Sequence, residues 1–183
     1  MAVAFEGGGT EPVDEPREHE MLLPKPKLVT QVSPVTCWAA SLESWTGAVR
    51  GIAVEQAGLI PVYGDKTAGG GLSSASVPLL ASDYLLKHKK VALNPDWAAP
   101  SYPYQTVEKF SPHLVDELLT RKHLLLIYVP LGSATWRHMV VVYGVIGDKF
   151  SIMNPYPGTG FLSVESSYFF PSYRNSAFLL FGK

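Results

Sequence analysis

The chain is poor in the features that most quickly assign a protein to a class. It has one cysteine, Cys37, so no internal disulfide can form and a zinc site built on cysteine pairs is excluded. No His-x-x-x-His pair offers a substitute. No run approaches the ~18 apolar residues that suggest a membrane span. Charge of one sign is not in excess: 15 basic and 16 acidic residues leave a net −1. That balance removes the electrostatic reason to expect nucleic acid or an anionic membrane as partner. A Gly-x-Gly-x-x-Gly turn after a strand is missing, as is the Gly-x-Ser-x-Gly elbow of a serine hydrolase. Neither a metal nor a cofactor is expected.

What remains is an ordinary globular composition, 46% hydrophobic and 17% charged over 183 residues, which fits one domain with a sizeable core. Residues 1–27 mix three consecutive glycines, acidic residues and Pro12, Pro16, Pro24 and Pro26. This segment reads as a flexible leader, and the globular domain as 28–183. The leader lacks the basic start and apolar core of a secretory signal peptide. With no membrane span either, any export is expected to take a route without a classical signal.

Cys37-Trp38-Ala39-Ala40-Ser41-Leu42-Glu43-Ser44-Trp45 predicts a helix with Cys37 in its first turn, Trp38, Leu42 and Trp45 on one buried face, and Gly47 as its stop. A short helix over 54–59 should end at Pro61, and residues 64–71 should be loop. A longer helix is expected from Ser74 to Lys89, then an irregular proline-rich stretch over 94–104. Ser111-Pro112 is a cap followed by proline at the first helical position, opening a helix to about Lys122. Thereafter His123–Val129, His138–Val145, Phe150–Asn154, Gly160–Val164 and Ala177–Phe181 read as strands, with a hairpin at Gly147-Asp148. Helices first and antiparallel strands second make an α+β domain, with its site where the first helix meets the sheet.

A lone thiol is often just a small buried hydrophobe. It becomes a nucleophile as a thiolate, which a helix N-terminus and a nearby imidazolium both favour. Of five histidines, His138 is the best partner because it opens a strand and is held on rigid backbone. Across the hairpin, Asn154 ends the next strand, where its amide can orient the imidazole as in Cys-His-Asn sites. It can equally serve only to shape the Asn-Pro turn. His88, His113 and His123 read as surface residues beside basic clusters or a helix start, and His19 falls in the leader.

Gln31-Val-Ser-Pro-Val-Thr-Cys37-Trp38-Ala39-Ala40 resembles the nucleophile segment of papain-like cysteine proteases. Its Cys-Trp-Ala-Ala variant is closest to the compact bacterial branch that includes effectors of the AvrRpt2 type. The His138-Met-Val-Val-Val-Tyr-Gly-Val strand and the Asn154-Pro-Tyr-Pro-Gly turn are similar to that branch as well. The resemblance implies a papain-like fold, with the N-terminal helix carrying the cysteine packed on a C-terminal antiparallel sheet. It implies Cys37, His138 and Asn154 as catalytic residues and Gln31, six positions before the cysteine (37 − 31), as an oxyanion-hole donor. Gly70 and Gly71, in the run Gly69-Gly70-Gly71, resemble the glycines that lie alongside bound peptide, a flexible surface loop being the other reading, while Trp136 flanks the histidine and is expected to wall the substrate site unless it belongs to the core. The Gly-Ser/Ala pair that precedes the cysteine in papain is replaced by Val35-Thr36, and His138 follows Cys37 by 101 residues (138 − 37), against ~130–150 in papain and cathepsins. The expected activity is thiol-dependent cleavage of a peptide or amide bond in a protein or peptide substrate. An effector or toxin role would add a cognate inhibitor or immunity protein as partner. Deamidation or transglutamination on the same triad, or a catalytically idle binding module, are the alternatives.

Overall fold

The protein is described here by a computed structural model over residues 20–73, 75–97, 106–120, 122–133, 136–172 and 175–183. The expected leader up to residue 19, His19 included, Ser74 and most of the 94–104 stretch lie outside these residues. Among the described residues, four helices run Cys37–Arg50 (α1), Gln56–Tyr63 (α2), Val77–Asp83 (α3) and Pro112–Leu119 (α4). The strands are Glu20–Leu22 (β1), Gly64–Asp65 (β2), Gly71–Leu72 (β3), Leu86–Ala92 (β4), Val107–Lys109 (β5), Leu124–Tyr128 (β6), His138–Ile146 (β7), Lys149–Asn154 (β8), Gly160–Glu165 (β9) and Ala177–Gly182 (β10). The main sheet has the order β5-β4-β10-β6-β7-β8-β9, with β1 also paired to β7. Every pairing is antiparallel except β4 with β5.

This is the expected α+β arrangement, and its departures have local causes. Helix α1 runs through Gly47 and stops at Gly51, whose φ of 65° lets its N–H turn back to Gly47 O. The helix was expected to stop four residues too early because a glycine inside a helix weakens it without ending it. Pro61 lies inside α2 rather than beyond it. The last turn of α2 is anchored by Tyr63, buried, with its hydroxyl donating to Asp83 Oδ2 at 2.7 Å. The single long helix expected over 74–89 is instead α3 and β4, separated at Leu85, which has φ 46°. Six-residue pairing with β10, from Ala177↔Val91 to Gly182↔Leu86, overrides helix propensity there. For α4 the cap is as expected: Ser111 Oγ accepts from Leu114 N–H.

Part of the segment expected to be flexible is built into the sheet. Strand β1 pairs Glu20↔Ile146 through Leu22↔Gly144, and Leu23 N–H donates to Tyr143 O. His123 is also corrected: it is 6% exposed rather than on the surface, its Nε2 bonded to Pro24 O. Burial holds its pKa below the ordinary imidazole range despite that bond.

Two cores flank the sheet. On one face α1 places Trp38, Leu42 and Trp45 against Leu125, Met139, Val141 and Met153. On the other, α4 and a ring cluster of Phe110, Phe150, Phe169 and Phe170 cover Tyr128, Val140, Val142 and Ile152. Among the described residues no helix is long and apolar enough to cross a membrane.

Candidate active site

Cys37 is the first residue of α1 and is 5% exposed. Its sulfur lies 3.9 Å from Arg137 O, and the Met139 N–H points at it. The sulfur therefore touches the backbone on both sides of His138. Helix α1 is tied there by Ser41 Oγ, which donates to Met139 O at 2.9 Å. Burial pushes the thiol pKa up, outweighing the downward pull of the Met139, Trp38 and Cys37 N–H groups. The expected lowering by the helix N-terminus is thus present and overridden by desolvation.

His138 opens β7 opposite Tyr128 of β6. The Val141↔Met153 pair of β7 with β8 puts Asn154 one step further, so His138 is its diagonal neighbour on the same face. Asn154 Oδ1 lies 2.9 Å from His138 Nε2. The same oxygen accepts from Tyr156 N–H at 2.9 Å, while Asn154 Nδ2 donates to Tyr168 Oη at 3.0 Å. These two bonds fix which end of the amide is oxygen. Nε2 must then be the donor, and the neutral ring keeps its lone pair on Nδ1. Burial pulls the His138 pKa down and the Asn154 bond pulls it back up. Both shifts favour the neutral forms, a thiol at Cys37 and an imidazole at His138.

Gln31 is bound by its backbone N–H to Pro155 O at 2.9 Å, just after Asn154. Its Nε2 donates to Ser33 O at 2.8 Å, leaving one amide hydrogen. Among the described residues nothing donates to Gln31 Oε1, which is buried. Gly70 O accepts from Trp38 Nε1 at 3.0 Å, which ties the glycine turn to the residue after Cys37. Gly70 has φ 92°, and a Cβ there would come 3.0 Å from Ile60 Cγ2, so both backbone and space call for glycine. Gly71, in β3, lies against Val35. Trp136 is half exposed with its ring edge-on to His138, centroids 6.3 Å apart. All seven residues singled out in the sequence thus gather around the N-terminus of α1 and the adjoining ends of β7 and β8.

Two tyrosines were missed. Tyr128 is 2% exposed, stacks edge-on to His138 at 5.7 Å, and is hydrogen-bonded to Tyr168. Burial, the hydrogen bond to Tyr168 and the nearness of the ionisable Cys37 all push its pKa upward, so it stays a neutral donor. Tyr128 ends an apolar strand directly before Val129-Pro130, a signal that could have placed it beside His138. Tyr168 sits in a single turn after β9 and carries no local signal.

Two hollows of about 360 and 330 Å³ lie elsewhere, lined by Arg50, Lys122 and His123 in one and by Arg50, Tyr63 and Tyr84 in the other. They sit at the far end of α1, where Arg50 is 13 residues (50 − 37) or about 20 Å from Cys37. Neither borders His138. The titratable constellation, rather than the volume of a cavity, marks the candidate site.

No protein-family model matches the chain, and no curated protein does so. Solved structures do. The peptidase domain of Streptococcus ComA, a bi-functional ABC transporter involved in quorum sensing, matches with TM-score 0.55 and 17% identity, covering 86% of this chain and 98% of that one. A double glycine motif protease from an AMS/PCAT transporter, solved in complex with the leader peptide, matches with TM-score 0.53 and 16% identity over 90% and 99% of the two chains. A chain described as a C39-like peptidase from Bacillus anthracis matches with TM-score 0.54 and 15% identity over 87% and 96%. The fold is that of papain-like C39 peptidase domains. At these identities the likeness concerns architecture: a helix packed on an antiparallel sheet, as expected from the sequence.

Proposed function

We propose that the chain is a cysteine peptidase that forms a covalent acyl-enzyme on Cys37. The observation that carries this reading is the fixed His138–Asn154 bond, with the only cysteine of the chain held against the backbone on either side of that histidine. The fold shared with peptidase domains supports it, and the neighbour bound to a leader peptide supports a peptide substrate.

The chemistry follows from the resting protonation states. As a carbonyl carbon approaches, Cys37 Sγ attacks it and the thiol proton passes to His138 Nδ1. The imidazolium that forms is stabilised by Nε2–H donation to Asn154. The carbonyl electrons move to oxygen, where the Cys37 N–H and the spare Gln31 Nε2 hydrogen are the donors. One such donor is worth ~2.7–4 kcal/mol. Collapse breaks the C–N bond, and the Nδ1 proton leaves with the amine. Water then attacks the thioester with Nδ1 as base, and the released thiol recovers its proton. Gly70 and Gly71 offer backbone to an extended peptide, and Trp136 covers His138 from solvent.

Comparing new peptide ends by mass spectrometry after incubating a cell lysate with wild type or Cys37→Ala tests this. Ends that appear with wild type only are expected; identical profiles would refute it. Release of ammonia without new ends would instead identify a deamidase. Membership of the compact bacterial branch, and with it an effector or toxin role, rests on the sequence segments around Cys37, His138 and Asn154. Growth arrest on expression, absent for Cys37→Ala, tests that role. The domain assignment, a peptidase domain over 28–183, is part of this proposal, with residues 20–24, expected in the leader, bound to the sheet of that domain.

A further inference from the structure

Beside the nucleophile, on the α1 face of the sheet, a row of paired residues runs Met139, Ile127, Phe178, Lys90. Directly paired residues project to the same face. Arg137 lies two residues before Met139 and so shares it. Its guanidinium sits over the Phe178 ring, 5.4 Å from the centroid. Lys90 is 3% exposed, and burial together with the nearness of Arg137 pulls its ammonium below the ordinary range. The guanidinium therefore lies over a half-buried ring at the edge of the site, with the buried Lys90 paired to that same residue across the sheet.

We propose that Arg137, seated on Phe178, recognises an acidic side chain of the substrate within about two residues of the scissile bond. Arg137 is exposed, whereas its own carbonyl is in contact with the Cys37 sulfur. An extended peptide advances ~3.3 Å per residue, so a neighbouring substrate residue falls within reach of this side chain. A guanidinium held against a ring is pre-oriented for two-pronged bonding to a carboxylate, and the ring itself packs against the aliphatic part of the ligand.

This inference rests on the peptidase reading, and its test separates the two. Matched peptides carrying Glu, Gln or Lys at each of the two positions on either side of the cleaved bond are compared by kcat/KM. Glu is expected to exceed Lys by about tenfold at one position, the scale of one hydrogen bond to a charged group. That preference is expected to vanish in Arg137→Gln and to survive partly in Arg137→Lys. Equal rates in wild type, or a preference retained by Arg137→Gln, would overturn the proposal. If no peptide is cleaved, the peptidase reading fails and Cys37 labelling decides instead. Iodoacetate is expected to lose rate relative to iodoacetamide in Arg137→Gln, and an unchanged ratio would overturn the proposal.

Discussion

The two faces of the sheet are built differently, and each supplies a different half of the site. On the α4 face, Phe110, Phe150, Phe169 and Phe170 interlock with ring centroids as close as 4.9 Å. Tyr128 and Tyr168 stack on Phe169 at 5.3 and 5.5 Å, the Tyr168 hydroxyl accepts from Asn154 Nδ2 and is itself hydrogen-bonded to Tyr128, so the imidazole is oriented by a rigid ring cluster. On the α1 face a single helix carries the sulfur. It is held by Trp38 to Gly70, by Ser41 to Met139, and by Trp45 Nε1 to His123 O at 2.8 Å. Base and orienter belong to the sheet, whereas the nucleophile belongs to a helix docked on it. Alignment of the pair therefore depends on docking, while orientation of the histidine does not.

This contrast can be broken from either side. Trp45→Ala removes a fully buried ring and a buried hydrogen bond from the α1 face. A loss of ~3–5 kcal/mol in unfolding free energy is expected, read by urea denaturation. A stability within 1 kcal/mol of wild type would mean that α1 is held by something else. Asn154→Ala acts on the other half: kcat should fall about 100-fold, within the range for a positioned acid–base group, with KM nearly unchanged. An unaltered kcat would reduce Asn154 to a turn residue. The smallest effect is expected for Tyr168→Phe, which removes the acceptor for Asn154 Nδ2 at the cost of about 1 kcal/mol, or roughly fivefold in kcat. Rates equal to wild type would show that the Tyr156 N–H alone fixes the amide.

The residues that could be found from the sequence were those whose spacing reflects local geometry. Gln31 and Cys37 flank one turn, and His138 and Asn154 lie on one hairpin, so short-range pattern carried them. Strand β4 was hidden because the helical pattern of Leu79, Leu80, Tyr84 and Leu85, which belong to α3 and its end, runs on without a break toward Lys89, and the strand at Leu86–Ala92 forms only through β10, about 90 residues later in the chain. β1 was hidden for the same reason: its partner Val145 is 124 residues away (145 − 21). The thiol pKa was misread in direction because helix position is visible in sequence and burial is not.

The central claim is that Cys37 and His138 exchange a proton. It is tested most directly by the rate at which iodoacetamide labels Cys37 as pH is varied, in wild type and in His138→Ala. His138 is held below its ordinary pKa, so in wild type the imidazole is neutral and able to take the thiol proton from below about pH 6.5 upward. Without it, the raised thiol ionises only above its ordinary value of about 8.5. Labelling at pH 7 is expected to be at least tenfold faster in wild type, with the two curves converging above pH 10. Superimposable curves across the whole range would contradict the account.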